Sequence, residues 1–205
     1  MNRSRYLLPA LLALSLALGA CSKTEETTAS AASTPAAPAA AAAQGQRAPS
    51  VEIVASEGKG FNVGAMMSNT IVYVFFDPQC PHCGHLWNAA IPLQKKARFV
   101  WMPVGLINAT SSAQGATLLS AADPAKAMAE HEASLMDGKG GIGAGANVSD
   151  EAKQSVASNT KLFGNLGLEG VPFTLVKNAR TGQLATRGGS MDTATLAQLI
   201  GVDAP

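Results

Sequence analysis

The stretch Ile71-Val72-Tyr73-Val74-Phe75-Phe76-Asp77-Pro78-Gln79-Cys80-Pro81-His82-Cys83 decides the architecture. Its first six residues are apolar, β-branched or aromatic without interruption, the pattern of a strand buried on both faces of a sheet. Asp77-Pro78 is a turn signal, and a Cys-x-x-Cys pair follows at once. Beyond it Leu86, Trp87, Ala90 and Leu93 recur at helical spacing. This predicts a helix from about Pro81 to Ala97, with Pro81 in the first turn, where no amide donor is needed. Pro92 lies inside that pattern and is expected to kink it.

Upstream, Val51-Glu52-Ile53-Val54 reads as a short strand; downstream, Phe99 to Leu106 reads as another. Residues 111–166 are alanine-rich and helical in texture, with Asp123-Pro124 and Ser149-Asp150-Glu151 as helix starts. Between those starts, Gly138 to Gly145 holds five glycines in eight residues. Gly141, Gly143 and Gly145 make a GxGxG pattern, but no strand precedes it, so it reads as a mobile loop and not a phosphate cradle. Phe173–Lys177 and Gln183–Arg187 are expected to pair as a hairpin around Arg180-Thr181-Gly182, and a last helix to run from Asp192 to Ile200. The order predicts an α/β domain: a central mixed sheet flanked by helices, with a helical insertion at about 111–166.

The N-terminal segments read differently. Arg3 and Arg5 precede an apolar run from Leu7 to Gly19 that is too short for a membrane span of roughly 20 residues. Leu18-Gly19-Ala20-Cys21 then has the form of a bacterial lipobox, which makes residues 1–20 a lipoprotein signal peptide and Cys21 the lipidated first residue. Ser22 rather than an aspartate after it favours the outer membrane by likeness to Gram-negative lipoproteins. An ordinary secretory signal cut nearby is the plainer alternative. Residues 21–49 are rich in Ala, Pro, Ser and Thr and read as a disordered tether. Its flexible-chain reach is on the order of 30 Å. Residues 50–205 are expected to form one domain. The formal charge of the 205-residue chain is +1, so no field draws it to nucleic acid.

The chain has three cysteines. Export places Cys80 and Cys83 in an oxidising compartment, yet a bridge between them closes almost no loop and would staple nothing. A c-type haem site would need histidine at 84, which is Gly84. Zinc could recruit Cys80, Cys83 and His85, but no second Cys-x-x-Cys exists and His131 is the one histidine beyond this segment. The pair therefore reads as a redox dithiol with neither metal nor cofactor. At a helix N-terminus, unpaired amides favour the thiolate, so Cys80 is the expected nucleophile and Cys83, one turn on and deeper, the resolving thiol. His82 between them would stabilise the thiolate further.

Several segments carry a resemblance. Ile71 to Trp87, Asp123-Pro124-Ala125-Lys126, Ala146-Asn147-Val148-Ser149 and Gly170-Val171-Pro172 resemble the catalytic domain of the periplasmic disulfide isomerase family DsbC/DsbG, over roughly residues 65–201. The resemblance implies a thioredoxin-like fold, a cis-proline at Pro172 facing the dithiol, and substrate-backbone binding by Val171 and Pro172. It implies protein thiols and disulfides as substrates, and a membrane partner that recycles the dithiol. Two departures stand out. Too few residues precede the catalytic region for the family's N-terminal dimerisation module, which suggests a monomer open to oxidation. The Pro81-His82 pair and the valine before the cis-proline are those of the oxidase DsbA, and Val74 stands where thioredoxins carry a buried acid. The expected activity is periplasmic thiol–disulfide exchange leaning toward oxidation, with a reductase or isomerase as the alternative. A binding module or thiol-based metallochaperone is the reading from another class. Met66, Met67, Met102, Met128, Met136 and Met191 invite it, although methionine is more often core filler.

Overall fold

In the computed structural model, which describes residues 46–145 and 148–205, the run Ile71–Phe76 is the middle strand of the sheet. The leader, Cys21 and most of the tether lie outside the described residues, as do Ala146 and Asn147. The elements in chain order are α1 (Val51–Glu57), β1 (Phe61–Gly64), β2 (Ile71–Phe76), α2 (Pro81–Ala90), a 3-10 turn (Ile91–Leu93) and β3 (Arg98–Pro103). There follow α3 (Ser111–Ser120), α4 (Pro124–Met136), α5 (Asp150–Asn165), β4 (Phe173–Lys177), β5 (Leu184–Gly188) and α6 (Thr193–Ile200). The sheet order is β1-β3-β2-β4-β5, with β2 and β3 parallel and every other neighbour antiparallel.

Alternation along β2 builds two cores. Val72, Val74 and Phe76 point to one face, where they meet Cys83, Leu86 and Trp87 of α2, Trp101 of β3 and Ile200 of α6. Tyr73 and Phe75 point to the other, against Val54 of α1, Met102, and Leu162 and Phe163 of α5. Edge-on aromatic packing runs through both faces, with Trp87–Trp101 centroids 5.1 Å apart and Phe75–Phe163 5.6 Å apart. Because both faces are covered, β2 needs no polar residue, which is why its sequence is continuous rather than alternating. Met102 and Met128 are fully buried and Met191 nearly so; these three fill the core.

Three expectations are corrected. Val51–Val54 is helix, not strand: Ser50 is its N-cap, its hydroxyl accepting from the Ile53 amide at 3.2 Å, and only Val54 of α1 is buried. The helix after the cysteines ends at Ala90 and tightens into the 3-10 turn around Pro92, whose missing amide cannot continue the ladder. The strand expected at Phe99–Leu106 is Arg98–Pro103, ending at a proline. The short strand β1 was not expected. The helical insertion is present as α3, α4 and α5, with Asp123 and Ser149 as N-caps. The final hairpin and α6 stand within a residue of their expected bounds, α6 capped by Asp192 and closed by Gly201 at φ 83°.

Candidate active site

Cys80 is the N-cap residue of α2 and Pro81 its first helical residue. The turn before it is fixed by Asp77, fully buried, whose carbonyl accepts from the Cys80 amide at 3.0 Å. The Asp77 carboxylate accepts three more amides: Gln79 at 2.8 Å on Oδ1, and Leu106 at 2.7 Å and Ile107 at 2.9 Å on Oδ2. One side chain thus joins the end of β2 to the loop after β3.

Both Cys80 and Cys83 are free thiols and buried, Cys83 completely. His82 is exposed, like Pro81 and His85. As a thiol, Cys80 Sγ donates to the Val171 carbonyl at 3.5 Å, and the Val171–Pro172 bond is cis, as the resemblance implies. Val171 and Pro172 therefore stand over the dithiol, delivered there by Gly170, whose φ of 72° favours glycine, at the entry to β4. Cys80, Pro81, His82, Cys83, Val171 and Pro172 thus stand together at the start of α2 and the entry to β4, while Met66 and Met67 are exposed elsewhere.

Electrostatics separate the two sulfurs. The Cys80 thiol is lowered to about 6, chiefly because the Cys83 thiol donates to its sulfur. Burial opposes this; the Cys83 and His82 amides of the helix N-terminus assist, and the charge of His82 contributes last. His82 is thus a smaller influence than its place between the cysteines suggests. Cys83 moves far upward through burial, its bond to Cys80 and the Cys80 charge, and stays protonated. One helical turn holds a thiolate and a thiol.

Sequence reading passed over the residues that hold this turn in place. His131 of α4 is fully buried, its Nε2 2.6 Å from the Pro78 carbonyl, while Nδ1 accepts the Ile142 amide at 3.1 Å. That pairing puts the proton on Nε2. Gly141 passes so close that a Cβ there would fall 2.4 Å from the imidazole, at a φ of 82°. Gln114, nearly buried, donates to the Gly140 and Ile142 carbonyls at 2.8 and 2.7 Å, and Gln79 donates to Gly140 at 3.0 Å. The glycine-rich loop, expected to be mobile, is tied down between Gly140 and Ile142 as a wall beside the active-site turn. Gly141 serves close approach to His131, whereas a Cβ at Gly138, Gly140 or Gly143 would meet nothing. The available signal was the spacing of Met128, His131 and Glu132, which puts all three on one face of α4.

Burial lowers the His131 imidazole, against opposing effects of the Pro78 carbonyl and Asp77. With the folded value below the unfolded one of about 6.5, the unfolded chain takes up the proton first as pH falls. Stability is expected to be intact above about pH 6.5 and to fall below it, by at most about 1.4 kcal/mol per pH unit for this proton. Urea midpoints measured between pH 7.5 and 5 should decline more steeply for the wild type than for His131→Gln, which keeps a donor and an acceptor but cannot titrate. Parallel slopes would remove His131 as the source.

No protein-family model matches the chain. It is 39% identical over 104 residues to the thiol:disulfide interchange protein DsbG of Escherichia coli K12, covering 50% of this chain and 41% of that protein. It is 31% identical over 134 residues to the DsbG of Pseudomonas aeruginosa PAO1, covering 64% and 51%. The chain spans about half the length of the curated relatives it matches. Among solved structures, the catalytic domain of Proteus mirabilis ScsC superposes with a TM-score of 0.58 at 18% identity, over 73% of this chain and 95% of that one. A periplasmic thioredoxin-like protein from Salmonella enterica serovar Typhimurium gives 0.58 at 18%, over 75% and 97%. The thiol-disulfide exchange protein alpha-DsbA2 of Wolbachia pipientis gives 0.52 at 19%, over 69% and 85%. The fold is thioredoxin-like, and in sequence the chain is DsbG-like over the part the two share.

Proposed function

We propose that this chain exchanges disulfides with exported proteins through Cys80 and Cys83, and that it works mainly as an oxidant. The observation that carries the reading is the split pair at one helix terminus: a Cys80 thiol lowered to about 6 beside a buried, protonated Cys83. With the Cys80–Cys83 disulfide formed, a substrate thiolate attacks Cys80 Sγ and the electron pair of the broken bond leaves with Cys83. A second substrate thiolate attacks its partner sulfur in the mixed disulfide and Cys80 departs as the thiolate. The substrate is oxidised by two electrons and the dithiol reduced; a membrane disulfide donor restores it. Stabilising the Cys80 thiolate favours the reduced dithiol and hence the oxidising direction. In this scheme Val171 and Pro172 hold the substrate backbone against Cys80, Pro81 and His82 shape the thiolate's surroundings, and lipidated Cys21 tethers the domain on the periplasmic side of the membrane.

The likeness to DsbG supports a second reading, a reductase or isomerase that works on wrong disulfides or sulfenic acids. One measurement separates them. Equilibration with glutathione should place the pair on the oxidising side of thioredoxin, whose potential is about −270 mV, toward the about −120 mV of DsbA. A value near thioredoxin's would discard the oxidant reading. Alongside it, alkylation of Cys80 by iodoacetamide should rise through a midpoint near pH 6 and be flat by pH 7.5. A midpoint near that of ordinary cysteine, about 8.5, would contradict the thiolate itself.

A further inference from the structure

One ionisable side chain beside the dithiol has no part in the reaction as written. Glu132 of α4 is 1% exposed, and neither of its carboxyl oxygens has a hydrogen-bond partner. Buried polar groups are nearly always paired, so an orphan carboxyl in a packed core is a cost the fold bears for another reason. Its place supplies the reason. Oε2 lies 2.6 Å from where a Cβ on Gly84 would sit, against the residue that follows Cys83 on α2. Met136, one turn along α4, closes the same space from the side, its sulfur 3.1 Å from that point. Only glycine at 84 lets the carboxyl approach.

The surroundings hold few competing charges. α4 packs on α2, α3 and β1, and neither α3 nor β1 carries an ionisable side chain. From α2 the groups are Cys83, with Cys80 at its N-cap, and the exposed His82 and His85. His131, next to Glu132 on α4, is committed to Pro78 and Ile142, and Asp77 to its three amides. Lys126 and Glu130 of α4 are exposed. The dithiol is the chemistry Glu132 faces.

We infer that Glu132 carries the proton of Cys83, accepting it when Cys83 attacks and returning it when Cys83 leaves. This rests on the exchange reaction proposed above. In the reducing direction, a mixed disulfide joins Cys80 to a substrate sulfur, and Cys83 holds a proton it must lose to become a nucleophile. That proton passes to the Glu132 carboxylate through one water, because no direct hydrogen bond joins the two groups. The Cys83 thiolate attacks Cys80 Sγ, the new S–S bond forms, and the substrate sulfur leaves with its electron pair. In the oxidising direction a substrate thiolate attacks Cys80, Cys83 leaves as a thiolate, and protonated Glu132 returns the proton. Burial, and then the Cys80 charge, hold the Glu132 carboxyl up at about 8. The acid is therefore neutral while Cys80 is a thiolate. Once Cys80 is tied into a mixed disulfide that charge is gone, and the carboxyl ionises more readily when an acceptor is needed.

The test uses the full chain and a small peptide disulfide, with the two steps timed separately across pH 6–9. In Glu132→Gln, alkylation of Cys80 should stay within about twofold of wild type, while resolution of the mixed disulfide should slow about 10²-fold, as for a lost general base. The pH inflection that this carboxyl gives to resolution, below 8 because Cys80 carries no charge in the mixed disulfide, should vanish with it. Resolution in the variant at the wild-type rate and with the wild-type profile overturns the inference. A wild type that forms no mixed disulfide with any peptide takes the exchange reading down as well, which separates the two failures. Independently of how the variant folds, infrared difference spectra of oxidised against reduced wild type should show a protonated-carboxyl band that changes with redox state. No such band also overturns it.

Discussion

Cys83→Ala should turn this protein into one that captures disulfide-bonded substrates and does not release them. Cys80, at the helix N-terminus and lowered to about 6, keeps its attacking power, while the thiol that would displace the substrate is gone. Well-placed intramolecular groups act at effective concentrations of about 10⁵ M or more. No millimolar external thiol replaces that, so turnover is expected to fall at least about 10³-fold. The adducts should appear on non-reducing gels and by mass, and disappear with dithiothreitol. Cys80→Ser should form none, because Cys83 is completely buried and held protonated. Adducts through Cys83 in the Cys80→Ser protein would reverse the assignment of attacking and resolving thiols.

The second large effect is expected at Asp77, a residue with no place in the redox chemistry. Its carboxylate accepts amides from Gln79, Leu106 and Ile107, and the segment it organises leads directly into Cys80. Alanine there leaves three amides without their acceptor. Each unsatisfied buried group costs about 1–3 kcal/mol, some of it recovered by water, so a loss of about 3 kcal/mol is expected in urea unfolding. Asn keeps one acceptor oxygen and should fall between alanine and wild type. If Asp77→Ala unfolds at the wild-type urea midpoint, the three bonds carry no net stability and the turn is held by His131 and Gln114 alone.

How much of this was legible in the sequence follows from what kind of contact each element depends on. β2 and the dithiol after it were readable because a strand covered on both faces announces itself through its own residues. The capped helices of the insertion and α6 carry local signals at Asp123, Ser149 and Asp192. Val51–Val54 misled because three apolar residues in four suit either period, and the deciding feature was the Ser50 hydroxyl. β1 is four residues among glycines, and its pairing partner on β3 lies some distance along the chain. The dithiol was visible; the polar residues that hold it were not. Asp77 looked like half of a turn signal, and the spacing that sets His131 and Glu132 on the Met128 face of α4 does not say what that face packs against. Their roles arise from packing α4 on α2, a tertiary fact.

The central strand also sets an order of events. β2 pairs on one side with β3, close by in the chain, and on the other with β4, through Val72 with Val176 and Phe75 with Phe173. The Val171 carbonyl that meets Cys80 arrives on that same late strand. A chain emerging from its N-terminus therefore presents both thiols long before the segment that covers them exists, and such distant pairings form slowly. During that interval the cysteines are ordinary reactive thiols, open to any passing disulfide. Maturation ends not with the dithiol but with the covering strand, and a chain cut short of residue 171 would carry the motif without the enclosure that separates its two sulfurs.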